Sequence, residues 1–265
     1  ETYKILEKKN LNFTFLTFEK EDPDIEYLRK MNIKIIPAYK NIKMSKYKSI
    51  NYLKSFRIPF IYKNELKDID LIKQNQLLGS WISIIFKLIL KKPLFIRTGY
   101  DMYEFSIKEN KKMRIQYLYK LLTRISLYFA DLYTVSSKSD RQFLQRNFRS
   151  LSSKIKIRPN WVKEIKSSSL ESRYKNKIVC LGRLEDQKNF EFIISSFSNS
   201  IYEIDIIGDG SLKQVLKKLA AEKNTAVNFL GQLDNDLIMN LLPKYRYYLT
   251  ASKYEGNPKS TLEAL

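Results

Sequence analysis

Histidine does not occur in this chain of 265 residues, and cysteine occurs once, at Cys180. The missing imidazole removes His-ligated zinc, serine–histidine and cysteine–histidine nucleophile pairs and any histidine base. A single thiol excludes an intramolecular disulfide and fits a reducing compartment. A membrane-spanning run is also lacking. Leu77–Leu90 is the nearest approach, but Gly79, Ser80, Ser83 and Lys87 interrupt it and it is too short for a bilayer, so it reads as a buried helix. The chain has no starting Met and no signal-peptide pattern, and it stops at Leu265 inside an expected helix; both ends read as cut.

Acidic residues are scarce in one half. Residues 171–265 carry 13 Lys/Arg and 12 Asp/Glu, a net of +1, which leaves 35 and 16, a net of +19, for residues 1–170. A basic first half suits an anionic partner: a membrane surface, an acidic acceptor or nucleic acid. A codon bias toward Lys, Asn and Ile is the alternative source of the same excess. With 44% apolar residues the chain has the composition of a globular protein rather than a disordered one.

Short β-branched and aromatic runs alternate with helical ones. Strands are expected at Phe13–Phe18, Ile33–Ile36, Ile69–Lys73, Leu94–Thr98, Leu132–Ser136 and Ile155–Arg158, then at Lys177–Gly182, Glu203–Gly208, Val227–Gly231 and Tyr247–Ala251. Helices are expected at Tyr47–Phe56, Ser80–Leu90, Lys111–Phe129, Lys138–Phe148, Asn189–Phe197, Ser211–Lys223 and Asp234–Leu242. This alternation predicts an α/β fold with parallel sheets covered on both faces. Two Rossmann-like domains follow, 1–165 and 171–265, with Lys163–Lys177 as the linker. In Lys111–Phe129 the stripe Leu118, Leu121, Leu122, Ile125 and Phe129 is expected to pack on the sheet, an interfacial membrane contact being the alternative.

The densest chemistry lies in Glu255-Gly-Asn-Pro-Lys-Ser-Thr-Leu-Glu263-Ala-Leu265. Asn257 is expected to cap a helix and Pro258 to occupy its first position, turning backbone N–H groups near 257–260 toward an anion. Glu263 lies about 7.5 Å along the axis from Pro258 at 1.5 Å per residue, and with Glu255 it offers acceptors for sugar hydroxyls. The pattern suits a ligand with phosphate and polyol parts. Arg183 and Lys188 sit on the loop Gly182-Arg-Leu-Glu-Asp-Gln-Lys-Asn189 after a strand, where open α/β sheets bind ligands. Gly182 permits close backbone approach there, with Asn189 as the next cap. Gly208-Asp-Gly-Ser211 joins a strand to a helix that Ser211 is expected to cap, and Gly231 closes another strand.

Taken in order, Gly-Arg-Leu-x-x-Gln-Lys-Asn, Ile-Ile-Gly-Asp-Gly, Asn-Phe-Leu-Gly and Ser252-x-Tyr-Glu-Gly-Asn-Pro-Lys-x-x-Leu-Glu-Ala resemble the C-terminal domain of family 4 glycosyltransferases. Upstream, Phe95-Ile-Arg-Thr-Gly-Tyr-Asp101, Ala130-Asp-Leu-Tyr-Thr-Val-Ser136 and Arg158-Pro-Asn-Trp161 are similar to that family's acceptor domain. The resemblance implies the GT-B fold, two Rossmann-like domains facing across a cleft, and retaining, metal-independent transfer of a hexose. The donor would be a UDP- or GDP-type nucleotide-sugar, a substrate rather than a cofactor. The acceptor would be a glycan or lipid-linked molecule in cell-surface polysaccharide synthesis. It implies that Arg183 and Lys188 neutralise the leaving diphosphate and that Glu255 lies by the donor sugar. Gly256, Asn257, Pro258 and Lys259 would touch sugar and phosphate through their amides. Glu263 would bind the ribose diol, and Gly182, Gly208, Gly210 and Gly231 would line the donor side.

Many members of that family carry a histidine–glycine pair where this chain reads Arg97-Thr-Gly-Tyr-Asp101, which leaves Asp101 as a substitute acceptor base or a helix cap. Three Asp-x-Asp triplets, Asp22-Pro-Asp24, Asp68-Ile-Asp70 and Asp234-Asn-Asp236, raise a metal-dependent alternative; turn, strand-start and capping roles account for them without a metal. An epimerase or phosphorylase of the same fold and a non-enzymatic polyanion binder are the other rivals. No specific nucleic acid is expected, since aromatic–basic recognition motifs are lacking. The expected location is cytoplasmic, peripheral on the inner face of the membrane.

Overall fold

The computed structural model describes residues 11–19, 33–162 and 169–265. Asp22 and Asp24 lie outside these, as does the first part of the expected linker. Packing divides the chain into two compact units, residues 1–96 with 129–131, and residues 97–128 with 132–265.

In the first unit β1 (Phe13–Thr17) and β2 (Ile33–Pro37) pair in parallel, Phe15 opposite Ile35. Helix α1 (Lys48–Ser55) and the short α2 (Ile58–Tyr62) follow, the second with Pro59 in its first turn, where a missing N–H costs nothing. Strand β3 is Ile72–Asn75, so Asp68 and Asp70 precede it in a turn and do not begin it as expected. Helix α3 (Ser80–Leu90) matches its expected bounds and buries Ile82, Ile84 and Phe86. Strand β4 (Leu94–Arg97) ends where the second unit begins.

The second unit opens with α4 (Met102–Lys108), which sequence periodicity did not mark, and α5 (Met113–Phe129). Strands β5 (Leu132–Val135) and β6 (Ile155–Ile157) run parallel around α6 (Lys138–Asn147). A second sheet then forms from β7 (Tyr174–Leu181), β8 (Glu203–Ile207), β9 (Val227–Gly231) and β10 (Tyr245–Tyr248), in the order β10-β7-β8-β9 and parallel throughout. Strand β7 starts at Tyr174, so the end of the expected linker belongs to the sheet. The connecting helices are α7 (Phe190–Ser196), α8 (Lys213–Glu222) and α9 (Asn235–Leu241), with α10 (Lys259–Ala264) last.

Alternation along β7 explains why this sheet must be covered twice. Ile178 and Cys180 join Ile204, Ile206, Phe190, Ile193 and Leu216 on one face, while Val179 and Leu181 join Ile207, Leu242 and Tyr245 on the other. Asp205 interrupts β8 and is only 4% exposed. Tyr245 Oη donates to it at 2.5 Å and Asn228 Nδ2 at 2.7 Å, which meets the requirement that a buried polar group be hydrogen-bonded.

Helix α5 corrects the expected packing. Its buried side chains are Thr123, Ser126 and Leu127, whereas Leu118, Leu121 and Ile125 face solvent.

Candidate functional site

The site residues gather in the second unit, on loops that leave the carboxyl ends of β7, β8 and β10. The first two loops are laced together by backbone bonds. Gly182 N donates to Ile207 O at 3.0 Å, Leu184 N to Asp209 O at 3.0 Å and Leu212 N to Leu184 O at 3.0 Å. A Cβ placed on Gly208 would stand 1.9 Å from Gly182 O, so only glycine fits. A Cβ on Gly182 would meet the stem of Lys188 at 2.9 Å; glycine here leaves the lysine its path across the strand end. Ser211 does not cap α8, whose N-cap is Leu212. Its amide and hydroxyl instead donate to Glu185 at 3.1 and 2.9 Å, which holds the Glu185 carboxyl below the usual range.

Residues 186–189 are joined to the loop before α10. Lys188 Nζ pairs with Glu255, the side chains 16% and 24% exposed. Gln187 Nε2 donates to Tyr254 O at 3.0 Å, Lys253 N donates to Gln187 O at 2.9 Å, and Lys253 Nζ reaches Asp186 at 2.5 Å. Asn189 stands at the N-cap of α7 with φ 53°, without capping it through its side chain; its amide donates to Ala251 O at 3.3 Å. Arg183 is exposed and forms no ion pair among the described residues.

The loop carrying Glu255 is also seated on the 97–160 segment of the same unit. Asn257 Nδ2 donates to Ser136 O at 3.1 Å, Asn160 Nδ2 donates to Asn257 O at 2.7 Å, and Arg97 Nη2 donates to Asn160 Oδ1 at 2.9 Å. A Cβ on Gly256 would approach Gly99 O to 3.1 Å. Tyr254 lays its ring edge-on to Phe105, centroids 5.1 Å apart, and donates its hydroxyl to Glu109 at 3.0 Å; burial, then this bond, push its pKa up to about 12.

Asn257 is therefore not the N-cap of α10. Pro258 holds that position with extended backbone, and the Asn257 side chain is spent on the loop's seat. Glu263, one turn on, is 6% exposed at its side chain and pairs with Lys259 at 3.0 Å. Gly210 lies against Leu184 O, 2.5 Å from where its Cβ would stand, and Gly231 closes β9 with φ 74°.

Asp101 is fully buried at the N-cap of α4, where Oδ1 accepts from Glu104 N at 2.8 Å. Burial pushes its carboxyl up to about 7, with the Glu104 amide opposing and the Glu104 and Asp140 carboxylates adding to the rise. Asp140 is raised for the same first reason, and Ser136 Oγ donates to it at 3.2 Å. Asp234 opens α9 without a side-chain cap, and among the described residues no group of three or more acidic or thiol side chains is arranged to hold a metal. Asn160, Ser136, Tyr254 and Gln187 each lie in a sequence motif, but their contacts join segments far apart in the chain and have no local signature.

Residues 162–265 match the family model described as Glycosyl transferases group 1. The chain is 29% identical over 155 residues to an uncharacterized glycosyltransferase of Methanocaldococcus jannaschii, covering 52% of this chain and 38% of that protein. Over 188 residues it is 26% identical to the GalNAc-α-(1->4)-GalNAc-α-(1->3)-diNAcBac-PP-undecaprenol α-1,4-N-acetyl-D-galactosaminyltransferase of Campylobacter jejuni, covering 69% and 49%. Among solved structures, Anabaena HepE in complex with UDP and glucose superposes with a TM-score of 0.62 at 11% identity, over 95% of this chain and 77% of that one. The chain has the GT-B fold, α/β with parallel sheets. It spans 38% and 49% of the lengths of the two curated relatives.

Proposed function

We propose that the protein is a retaining, metal-independent hexosyltransferase. It takes a sugar from a UDP- or GDP-type nucleotide-sugar and delivers it to a glycan or lipid-linked acceptor in cell-surface polysaccharide synthesis, at the cytoplasmic face of a membrane. The observation that carries this reading is the pairing of Lys188 with Glu255 beside an exposed Arg183, at the carboxyl ends of parallel strands. The relatives bear on the ligands: HepE was crystallised with UDP and glucose, and the Campylobacter jejuni enzyme is named for an undecaprenol-linked glycan.

Departure of the donor's diphosphate concentrates negative charge, which Arg183 and Lys188 stabilise without moving far. Until an anion arrives, Glu255 keeps Lys188 on its loop and limits the cost of an unpaired, half-buried ammonium. Glu255 then faces the sugar, the amides of Gly256–Lys259 take sugar and phosphate oxygens, and Glu263 accepts from the ribose hydroxyls, with Lys259 holding its carboxylate in place. Gly182, Gly208, Gly210 and Gly231 keep the floor of the site low. Asp101 has no surface from which to reach an acceptor, so the leaving phosphate oxygen takes the acceptor proton and Asp101 holds the start of α4.

Calorimetric titration of UDP- and GDP-sugars tests this. Lys188→Ala should weaken donor binding by roughly 1.5–3 kcal/mol, the cost of a charged hydrogen bond, and Glu263→Ala should weaken it too. Unchanged affinity in both variants would end the reading. Product analysis with and without acceptor separates transfer from epimerisation or phosphorolysis.

A further inference from the structure

Helix α5 is built the wrong way round for a helix that ends at its own sheet. Of its 17 residues only Thr123, Ser126 and Leu127 are buried. Tyr117, Leu118, Leu121, Ile125 and Tyr128 are 69%, 58%, 43%, 38% and 64% exposed. At about 100° per residue these five fall within an arc of roughly 100° that points away from the buried three. Surface helices ordinarily place their large apolar side chains inward; α5 buries Leu127 but turns this five-residue stripe outward.

Charge on the same helix narrows what can cover that face. Met113–Phe129 contains Arg114, Lys120 and Arg124 and no acidic residue. Arg114 and Arg124 are exposed and form no ion pair among the described residues, while Lys120 lies over the Tyr103 ring at 5.6 Å. Lys111 and Lys112 precede the helix, the first paired with Glu109 at 2.7 Å. A second copy of the chain would bring cations against cations. Nucleic acid would meet the arginines but give Leu118, Leu121 and Ile125 nowhere to go. A bilayer surface rich in acidic phospholipid accepts all three kinds of side chain: phosphates take the arginines, acyl chains take the leucines and isoleucine, and the tyrosines sit at the boundary. The helix is about 26 Å long at 1.5 Å per residue and lies along such a surface. No helix among the described residues is long and apolar enough to cross one.

We infer that the outward face of α5, centred on Leu118, Leu121 and Ile125 and flanked by Arg114 and Arg124, docks the protein on an anionic lipid surface. This gives the peripheral-membrane part of the proposed function a definite place on the molecule, and it does not depend on the donor site. The test is co-sedimentation of the intact protein with vesicles of phosphatidylglycerol and phosphatidylcholine, or of phosphatidylcholine alone. Binding is expected to the mixed vesicles and to fall at least tenfold on the neutral ones. Leu118→Ser with Leu121→Ser and Ile125→Ser should lower partitioning at least tenfold, and Arg114→Gln with Arg124→Gln by a similar factor. Both variants should keep the wild-type nucleotide-sugar affinity, which also shows that they are folded. Vesicle binding unchanged in both variants, or equal on charged and neutral vesicles, would overturn the inference. So would a dimer of the wild type that the triple serine variant dissolves while no vesicle is bound. Loss of vesicle binding with donor affinity intact supports it. A wild type that binds vesicles but no nucleotide-sugar would sink the transferase reading alone.

Discussion

Burial governs how the Asp101 carboxyl titrates. The residue was open, on sequence, between acceptor base and helix cap; the structure spends Oδ1 on the Glu104 amide and leaves no part of the side chain at the surface. Because burial raises its carboxyl from 3.8 to about 7, folding favours the protonated form. Its contribution to stability is complete below about pH 4 and is lost as pH rises through about 7, a difference on the order of 4 kcal/mol. Asp101→Asn keeps an acceptor for the Glu104 amide and cannot ionise. Thermal melts across about pH 5 to about pH 8 should therefore show the wild type losing stability that the variant keeps, with the variant equal or better at the upper end. Parallel pH profiles would mean that Asp101 does not titrate in that range. Lys188 and Glu255 illustrate the opposite case. Residue type and spacing marked both as site residues, but their pairing with each other had no local signature, since 67 residues separate them.

At the scale of elements, periodicity located most strands and helices because each is long enough to show its repeat. It failed for α2 and α4, of five and seven residues, which complete too little of a turn pattern to stand out from loop. It placed β3 three residues early, since Ile69 and Leu71 look like strand residues while the observed strand reads Ile-Lys-Gln-Asn. The inverted face of α5 was legible as amphipathic but not as outward, because periodicity gives a stripe and not its direction. The Pro258 loop shows a similar limit: Asn257 has the chemistry of a cap, and a partner 121 residues away claims its side chain instead. This seat makes a ranked prediction. Asn160→Ala removes the bond to Asn257 O and strands the Arg97 guanidinium, a cost of roughly 1–3 kcal/mol. Asn257→Ala removes one bond to Ser136 O and also removes a buried Oδ1 that has no hydrogen-bond partner, so it should cost less. Melting temperatures and amide exchange at Ser260–Leu262 would check the order; a larger loss in Asn257→Ala would contradict it.

For the whole molecule, charge is the term that local contacts leave unbalanced. The chain carries +20, of which +19 belongs to residues 1–170. Ion pairs such as Lys34–Glu65, Lys177–Glu203 and Lys213–Asp209 are largely solvent-exposed, and pairs of that kind contribute about 0–1 kcal/mol each. Repulsion among the surplus cations acts over longer distances, about 30 Å in 0.01 M salt and about 10 Å in 0.1 M. Added salt therefore weakens a few modest attractions and a larger set of repulsions, so the folded state should gain. Melting temperature is expected to rise between about 0.01 and about 0.15 M NaCl and then level off as the Debye length drops below typical charge spacings. A flat or falling curve would show that the acidic residues already compensate the basic half. Vesicle binding measured over the same salt range tests the docking proposed for α5. Lipid docking through α5 should weaken over that range yet persist, because Leu118, Leu121 and Ile125 contribute apolar contact that salt does not screen. Contacts made by the surplus lysines alone should fall away steeply.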